Sequence, residues 1–107
     1  MLISPKVLQV SHIASDRPDI ATVQSFLEEA FADNSPVAFL NLCNGSLHNL
    51  DRWHWVTLVS LDKNTSSATM CDQGVKNDID LELWLRTNTL GGGFVELRKF
   101  AKTTLIQ

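Results

Sequence analysis

The chain has 107 residues, a net charge of −3 and 44% hydrophobic residues, which are ordinary values for one modest globular domain. Its nine Lys and Arg residues are scattered, which argues against a nucleic-acid-binding surface, and no apolar run is long enough to cross a bilayer. The N-terminal segment lacks the apolar core of a signal peptide. In a chain without such a signal, two cysteines are predicted to be reduced thiols. A cytoplasmic protein is therefore predicted, without nucleic-acid or membrane partners.

The first predicted elements are a short strand over 5–13 and an amphipathic helix over 15–34. Pro18 falls in the first turn of this helix, where its missing N–H is tolerated. Apolar residues follow at spacings of three and four, which predicts one face turned toward a core. They are Ile20, Val23, Leu27, Ala30 and Phe31.

Two apolar segments follow the helix. After Pro36, "VAFLNLC" (37–43) is a nearly continuous apolar run, which predicts a central strand covered on both faces. The polar, turn-rich segment 44–52 predicts a loop that borders any cleft. The segment 53–62, "WHWVTLVSLD", predicts a second buried strand, and "ATMCD" (68–72) is expected to return as the other arm of a hairpin.

A short helix is predicted over 78–88, with a capping Asp and apolar residues on one side. Glycines 91–93 are expected to release it into an alternating strand that ends at 100. The order of elements indicates an α+β fold: a mostly antiparallel sheet with one long N-terminal helix and one short helix. Residues 1–107 are expected to form a single domain.

The predicted hairpin brings one histidine close to one carboxylate. A three-residue loop at 63–65 would set residue 56 opposite 72, so that His54 lies diagonal to Asp72 on the same face. A change of two residues in the loop keeps this parity, whereas a one-residue slip would break it. The pair is either a general base with its orienting carboxylate or a satisfied polar pair at the end of a sheet.

The segments "SPVAFLNL", "WHWVTLVSL" and "CDQG", in this order, resemble the second half of a papain-like cysteine peptidase, in the style of the bacteriocin-leader-processing branch. The resemblance covers about residues 35–74. It implies a papain-like sheet in which His54 is the general base and Asp72 the residue that orients it. A peptide or protein substrate would be hydrolysed by a Cys-His-Asp triad.

The nucleophilic half of this pattern is missing. The resemblance implies a Cys upstream of the histidine, at the start of a long helix and after a Gln. Cys43 is the only upstream Cys, it ends a predicted strand, and neither Gln9 nor Gln24 precedes a Cys. The chain is then part of a longer protein, one subunit of a split enzyme, or a degenerate domain, and it is expected to have no peptidase activity alone.

Other His, Cys and Trp residues are also candidates for a functional role. The His and Cys spacings match no short zinc-ligand pair, so no metal or cofactor is predicted. Trp53 and Trp55 share a strand face and are expected in the core, although at a rim they would contact peptide. With Asn44 and Gly45 they are expected to border the cleft.

Two further expectations concern partners and the alternative function. The helix stripe and the apolar strands carry more hydrophobic surface than a half-domain should leave exposed to water. A homodimer or pairing with a missing N-terminal half is therefore expected. The alternative function is a non-catalytic protein-interaction module built on a degenerate peptidase-like fold.

Overall fold

Six strands form one sheet and two helices pack on it in a computed structural model, which describes residues 6–43, 46–47, 50 and 53–97. The strand order is β1-β6-β2-β3-β4-β5, and every neighbouring pair is antiparallel. The α+β class and the mostly antiparallel sheet are therefore confirmed. In chain order the elements are β1 (Val7–Val10), a 3-10 turn (Ala14–Asp16), α1 (Ile20–Ala32), β2 (Val37–Asn41), β3 (His54–Asp62), β4 (Ser67–Asp72), β5 (Val75–Asp80), α2 (Leu81–Thr87) and β6 (Gly92–Glu96).

Helix α1 is shorter than the predicted 15–34 and follows a strand, so it is neither long nor at the N-terminus. Asp19 caps it, because its carboxylate accepts hydrogen bonds of 2.8 Å from both the N–H and the hydroxyl of Thr22. Val23, Leu27 and Ala30 are fully buried, which confirms the predicted apolar stripe.

The core lies on one face of the sheet only. Phe39 of β2 stacks on Phe94 of β6 at 4.9 Å, and Trp84 of α2 meets Phe39 edge-on at 4.8 Å. Both helices pack on this face, and within the described residues no helix covers the other. Along β2 buried residues therefore alternate with half-buried ones, so the prediction that this strand is covered on both faces is wrong.

Strand β5 was not predicted, and it shortens the second helix to Leu81–Thr87. Only Ile79 of this edge strand is buried, so its sequence carries no clear apolar alternation. The capping Asp is Asp80, whose carboxylate accepts a 3.0 Å hydrogen bond from the N–H of Leu83. Asp78 is instead paired across the sheet with Thr69.

The register of the β3–β4 hairpin changes once along its length. Next to the turn, Asp62 pairs with Ser67, so the turn spans 63–66, one residue longer than predicted. Continued regularly, that register would place Asp72 on the face opposite His54. A β-bulge between Leu58 and Ser60 takes up the extra residue, after which Thr57 pairs with Cys71. The predicted parity is restored at the end that carries His54.

Glycines let β6 lie close between β1 and β2. A Cβ on Gly92 would lie 2.1 Å from the carbonyl oxygen of Leu40, and Gly91 has φ of +83°. These glycines therefore allow the close approach of the β6 backbone to its two neighbours. In the described part of the chain, no helix is long and apolar enough to span a membrane.

Candidate functional site

His54 and Asp72 meet at one end of the sheet. His54 opens β3 and Asp72 ends β4. Both carboxylate oxygens of Asp72 lie 3.1 Å from Nε2 of His54. The side chains are 33% and 29% exposed, so the pair is open to small molecules as well as held by the sheet. The structure thus brings the two predicted residues together.

This contact gives the two ring nitrogens of His54 different roles. In the neutral ring, an N–H at Nε2 donates to the carboxylate, which places the lone pair on Nδ1. Asp72 is the only residue in the described ranges that hydrogen-bonds the ring. An ion pair this exposed contributes only about 0–1 kcal/mol to stability. The main effect of the Asp72 contact is therefore to orient the His54 ring, and its contribution to the stability of the fold is small.

A buried amide lies beside the histidine on the core face. Asn41 is the direct cross-strand partner of His54 and is fully buried. The indole Nε1–H of Trp84 donates a 2.6 Å hydrogen bond to its Oδ1. Sequence analysis did not single out Asn41, although one polar residue closing the apolar run "VAFLN" was a signal. Helix α2 thus fixes the residue next to the general-base candidate.

The tryptophans do not occupy the core, so that expectation is wrong. Trp53 is 70% exposed and Trp55 is 52% exposed. Trp55 alternates with His54 along β3 and so faces the side of the sheet without helices. Trp53 precedes the strand with φ of +53°, next to His54 in the chain. The other two predicted border residues, Asn44 and Gly45, lie outside the described residues.

Two leucines between β2 and β3 are buried, although the sequence there predicts a polar loop. Leu47 and Leu50 are 7% and 2% exposed and join the hydrophobic core. The N–H of Ser46 donates a 3.0 Å hydrogen bond to the Thr87 hydroxyl at the end of α2. These described residues of the loop therefore contribute to the fold beside the site.

The two cysteines lie in different surroundings. Neither forms a disulfide, and both are half-buried. The Thr89 hydroxyl donates to Cys43 Sγ at 3.4 Å, whereas the imidazole of His54 contacts Asp72 on β4. Cys71 precedes Asp72 and faces the opposite side of the sheet. Among the residues with assigned positions, no three His, Cys, Asp or Glu side chains form a group that could hold a metal.

Neither a protein-family model, nor a curated protein, nor a solved structure matches this chain. The papain-like resemblance of residues 35–74 thus rests on the sequence pattern, and the chemistry of the site rests on the contact between His54 and Asp72.

Proposed function

We propose that this chain supplies a general base and its orienting carboxylate to a thiol-dependent acyl-transfer site of the papain-like cysteine peptidase type. The observation that carries the proposal is the placement of both Asp72 oxygens 3.1 Å from Nε2 of His54, which leaves Nδ1 for proton transfer. The histidine that opens one strand and the aspartate that ends the next also follow the order implied by the sequence resemblance.

In the proposed reaction, Nδ1 of His54 takes the proton of a thiol, and Asp72 stabilises the resulting imidazolium. The thiolate sulfur attacks the carbonyl carbon of a peptide, which forms a C–S bond and a tetrahedral intermediate. When this intermediate collapses, the C–N bond breaks and the amine leaves with the proton from Nδ1. His54 then takes a proton from water, the hydroxide cleaves the thioester, and the thiol regains its proton.

The nucleophile in this proposal comes from a separate polypeptide segment. The Thr89 hydroxyl donates to Cys43, which follows a strand and does not open a helix, and Cys71 faces away from Asp72, so the proposal assigns the nucleophile to neither thiol. The chain alone is therefore expected to leave peptides intact.

Small-molecule thiols provide a direct test. We would measure thiolysis of a p-nitrophenyl ester by 2-mercaptoethanol in the presence of the chain, and cleavage of a fluorogenic peptide by the chain alone. A general base contributes about 10²–10⁴-fold in an assembled site, and we expect about tenfold here because nothing holds the ester in place. His54→Gln should abolish this acceleration and leave peptide cleavage absent, as in the parent chain.

His12 provides the matched control, because it is an exposed histidine outside the site. His12→Gln should retain the acceleration. Equal losses in the two variants, or an unchanged rate in His54→Gln, would refute the assignment of His54 as the base. Peptide cleavage without added thiol that depends on His54 would show that the chain holds its own nucleophile.

A non-catalytic interaction module is the second candidate. It is favoured by the large exposed side chains of Trp53, Trp55 and Val7. Two results together would support this function. Neither His54→Gln nor Asp72→Ala would change the thiolysis rate, and substitution of the exposed apolar residues would weaken association with a protein partner.

A further inference from the structure

The backbone at Trp53 has a conformation that is unusual for a large side chain. In the described part of the chain, four non-glycine residues have positive φ. Three of them occupy turns that favour it: Asn34 follows α1, Ser66 closes the β3–β4 turn, and Gln73 begins the two-residue turn before β5. Trp53, at φ of +53°, instead leads directly into β3, and for so bulky a residue this value is an outlier.

Packing within the fold does not account for this conformation. The side chain of Trp53 is 70% exposed, the highest value among the large hydrophobic residues that the structure describes. The aromatic cluster of the core is built from Phe39, Trp84 and Phe94 instead. Residues held in sparsely populated backbone regions concentrate at active sites and ligand clamps. The outlier at Trp53 therefore indicates a role in binding.

The position of Trp53 in the chain ties this role to the dyad of His54 and Asp72. Trp53 directly precedes His54, so their Cα atoms are about 3.8 Å apart. The residues of an extended peptide advance by about 3.3–3.6 Å each. A peptide whose carbonyl carbon reacts beside the His54 ring therefore brings its neighbouring side chains within reach of an indole at position 53.

We propose that Trp53 contacts the substrate side chain next to the scissile carbonyl, so that the site favours acyl groups with a bulky apolar side chain. This inference rests on the proposed function of His54 and Asp72. An indole offers a large, flat apolar surface with only two rotatable side-chain bonds, so it loses little conformational freedom on contact. One aromatic contact of this kind changes a rate or an affinity by about two- to tenfold.

Thiolysis of two esters with the same leaving group tests the proposal. We would measure the acceleration by the chain for p-nitrophenyl phenylacetate and for p-nitrophenyl acetate, each relative to 2-mercaptoethanol alone. The acetyl group has no side chain for the indole to contact, so its acceleration reports on His54. The ratio of the two accelerations reports on Trp53. We expect a ratio of about two to ten in the parent chain, a smaller one in Trp53→Phe and about one in Trp53→Gly.

Trp55→Ala is the matched control, because Trp55 is 52% exposed but alternates with His54 and so faces the other side of the sheet. It should keep the ratio of the parent chain. Glycine adopts positive φ without strain, so Trp53→Gly should keep or raise the Tm. A fall in the Tm of this variant would assign the indole to the fold and overturn the proposal.

The two esters also separate this inference from the proposed function. If the chain accelerates acetate thiolysis through His54 but the ratio is near one, the role of Trp53 is refuted and the function of the dyad stands. If the chain accelerates neither ester, the function of the dyad is refuted and the role of Trp53 with it. A ratio that Trp55→Ala lowers as much as Trp53→Gly does would also overturn the proposal.

Discussion

Removal of the Asp72 carboxylate separates a catalytic pair from a structural one. In Asp72→Ala, His54 loses the only hydrogen-bond partner that the described residues provide for its ring. Because both side chains are about one third exposed, the lost pair is worth at most about 1 kcal/mol of unfolding free energy. For a domain of this size, that corresponds to a fall in Tm of about 4–8 °C or less.

The orientation of the ring should change much more than the stability. In Asp72→Asn the amide oxygen can still accept from Nε2–H, whereas in Asp72→Ala nothing at that position can. Nitrogen–proton correlation NMR of the ring should therefore show the Nε2–H tautomer in the parent chain and in Asp72→Asn. We expect Asp72→Ala to lose this tautomer preference, and its thiolysis rate should fall toward that of His54→Gln.

Two results would refute this reasoning. A loss of about 3 kcal/mol or more in Asp72→Ala is typical of a broken buried ion pair and would assign the contact to the fold. An unchanged tautomer together with an unchanged thiolysis rate would show that Asp72 does not orient His54. Thermal and urea unfolding measure the first outcome, and NMR with the thiolysis assay measures the second.

Three other predictions concern the elements that hold the site. Trp84→Phe should lower the unfolding free energy by about 2–4 kcal/mol, because it removes the indole donor to Asn41 and leaves space in the core; urea unfolding measures this loss, and a change below about 0.5 kcal/mol would contradict it. Gly92→Ala should cost about 3 kcal/mol, since its Cβ would lie 2.1 Å from a backbone oxygen of β2, and parent-like stability would show that the strands do not approach so closely. The side-chain hydrogen bond from Thr22, and then the backbone N–H of the same residue, lower the pKa of Asp19 below its usual 3.8. Stability from this cap is thus present above that value and is lost as the pH falls through the lowered pKa. Acid unfolding of Asp19→Ala, compared with the parent chain, should show a smaller loss over that range.

The hairpin that carries the site shows how far local reasoning extends. Apolar alternation correctly grouped His54, Val56 and Leu58 on one face, and the expected parity with Asp72 is present. The turn is nevertheless one residue longer than predicted, and the bulge at Val59 compensates for it. The bulge leaves little trace in the sequence, because Val59 and Ser60 read as ordinary strand residues.

The exposed tryptophan of β3 shows where such reasoning ends. Trp55 was expected in the core because large aromatic residues usually bury most of their surface. Its actual exposure of 52% follows from the placement of both helices on the other face. Strand alternation identifies two faces but carries no information about which of them receives a helix.

By itself, the sequence determined the stripe of α1, the cap-and-helix pattern of α2 and the pairing face of His54, because each depends on residues a few positions apart. Tertiary structure decided the strand order that puts β6 between β1 and β2, the bulge that corrects the hairpin register, and the seating of Asn41 under Trp84. These features depend on contacts between residues far apart in the chain, such as Val7 with Val95, and the free energy of such contacts exists only once the chain has closed around one core.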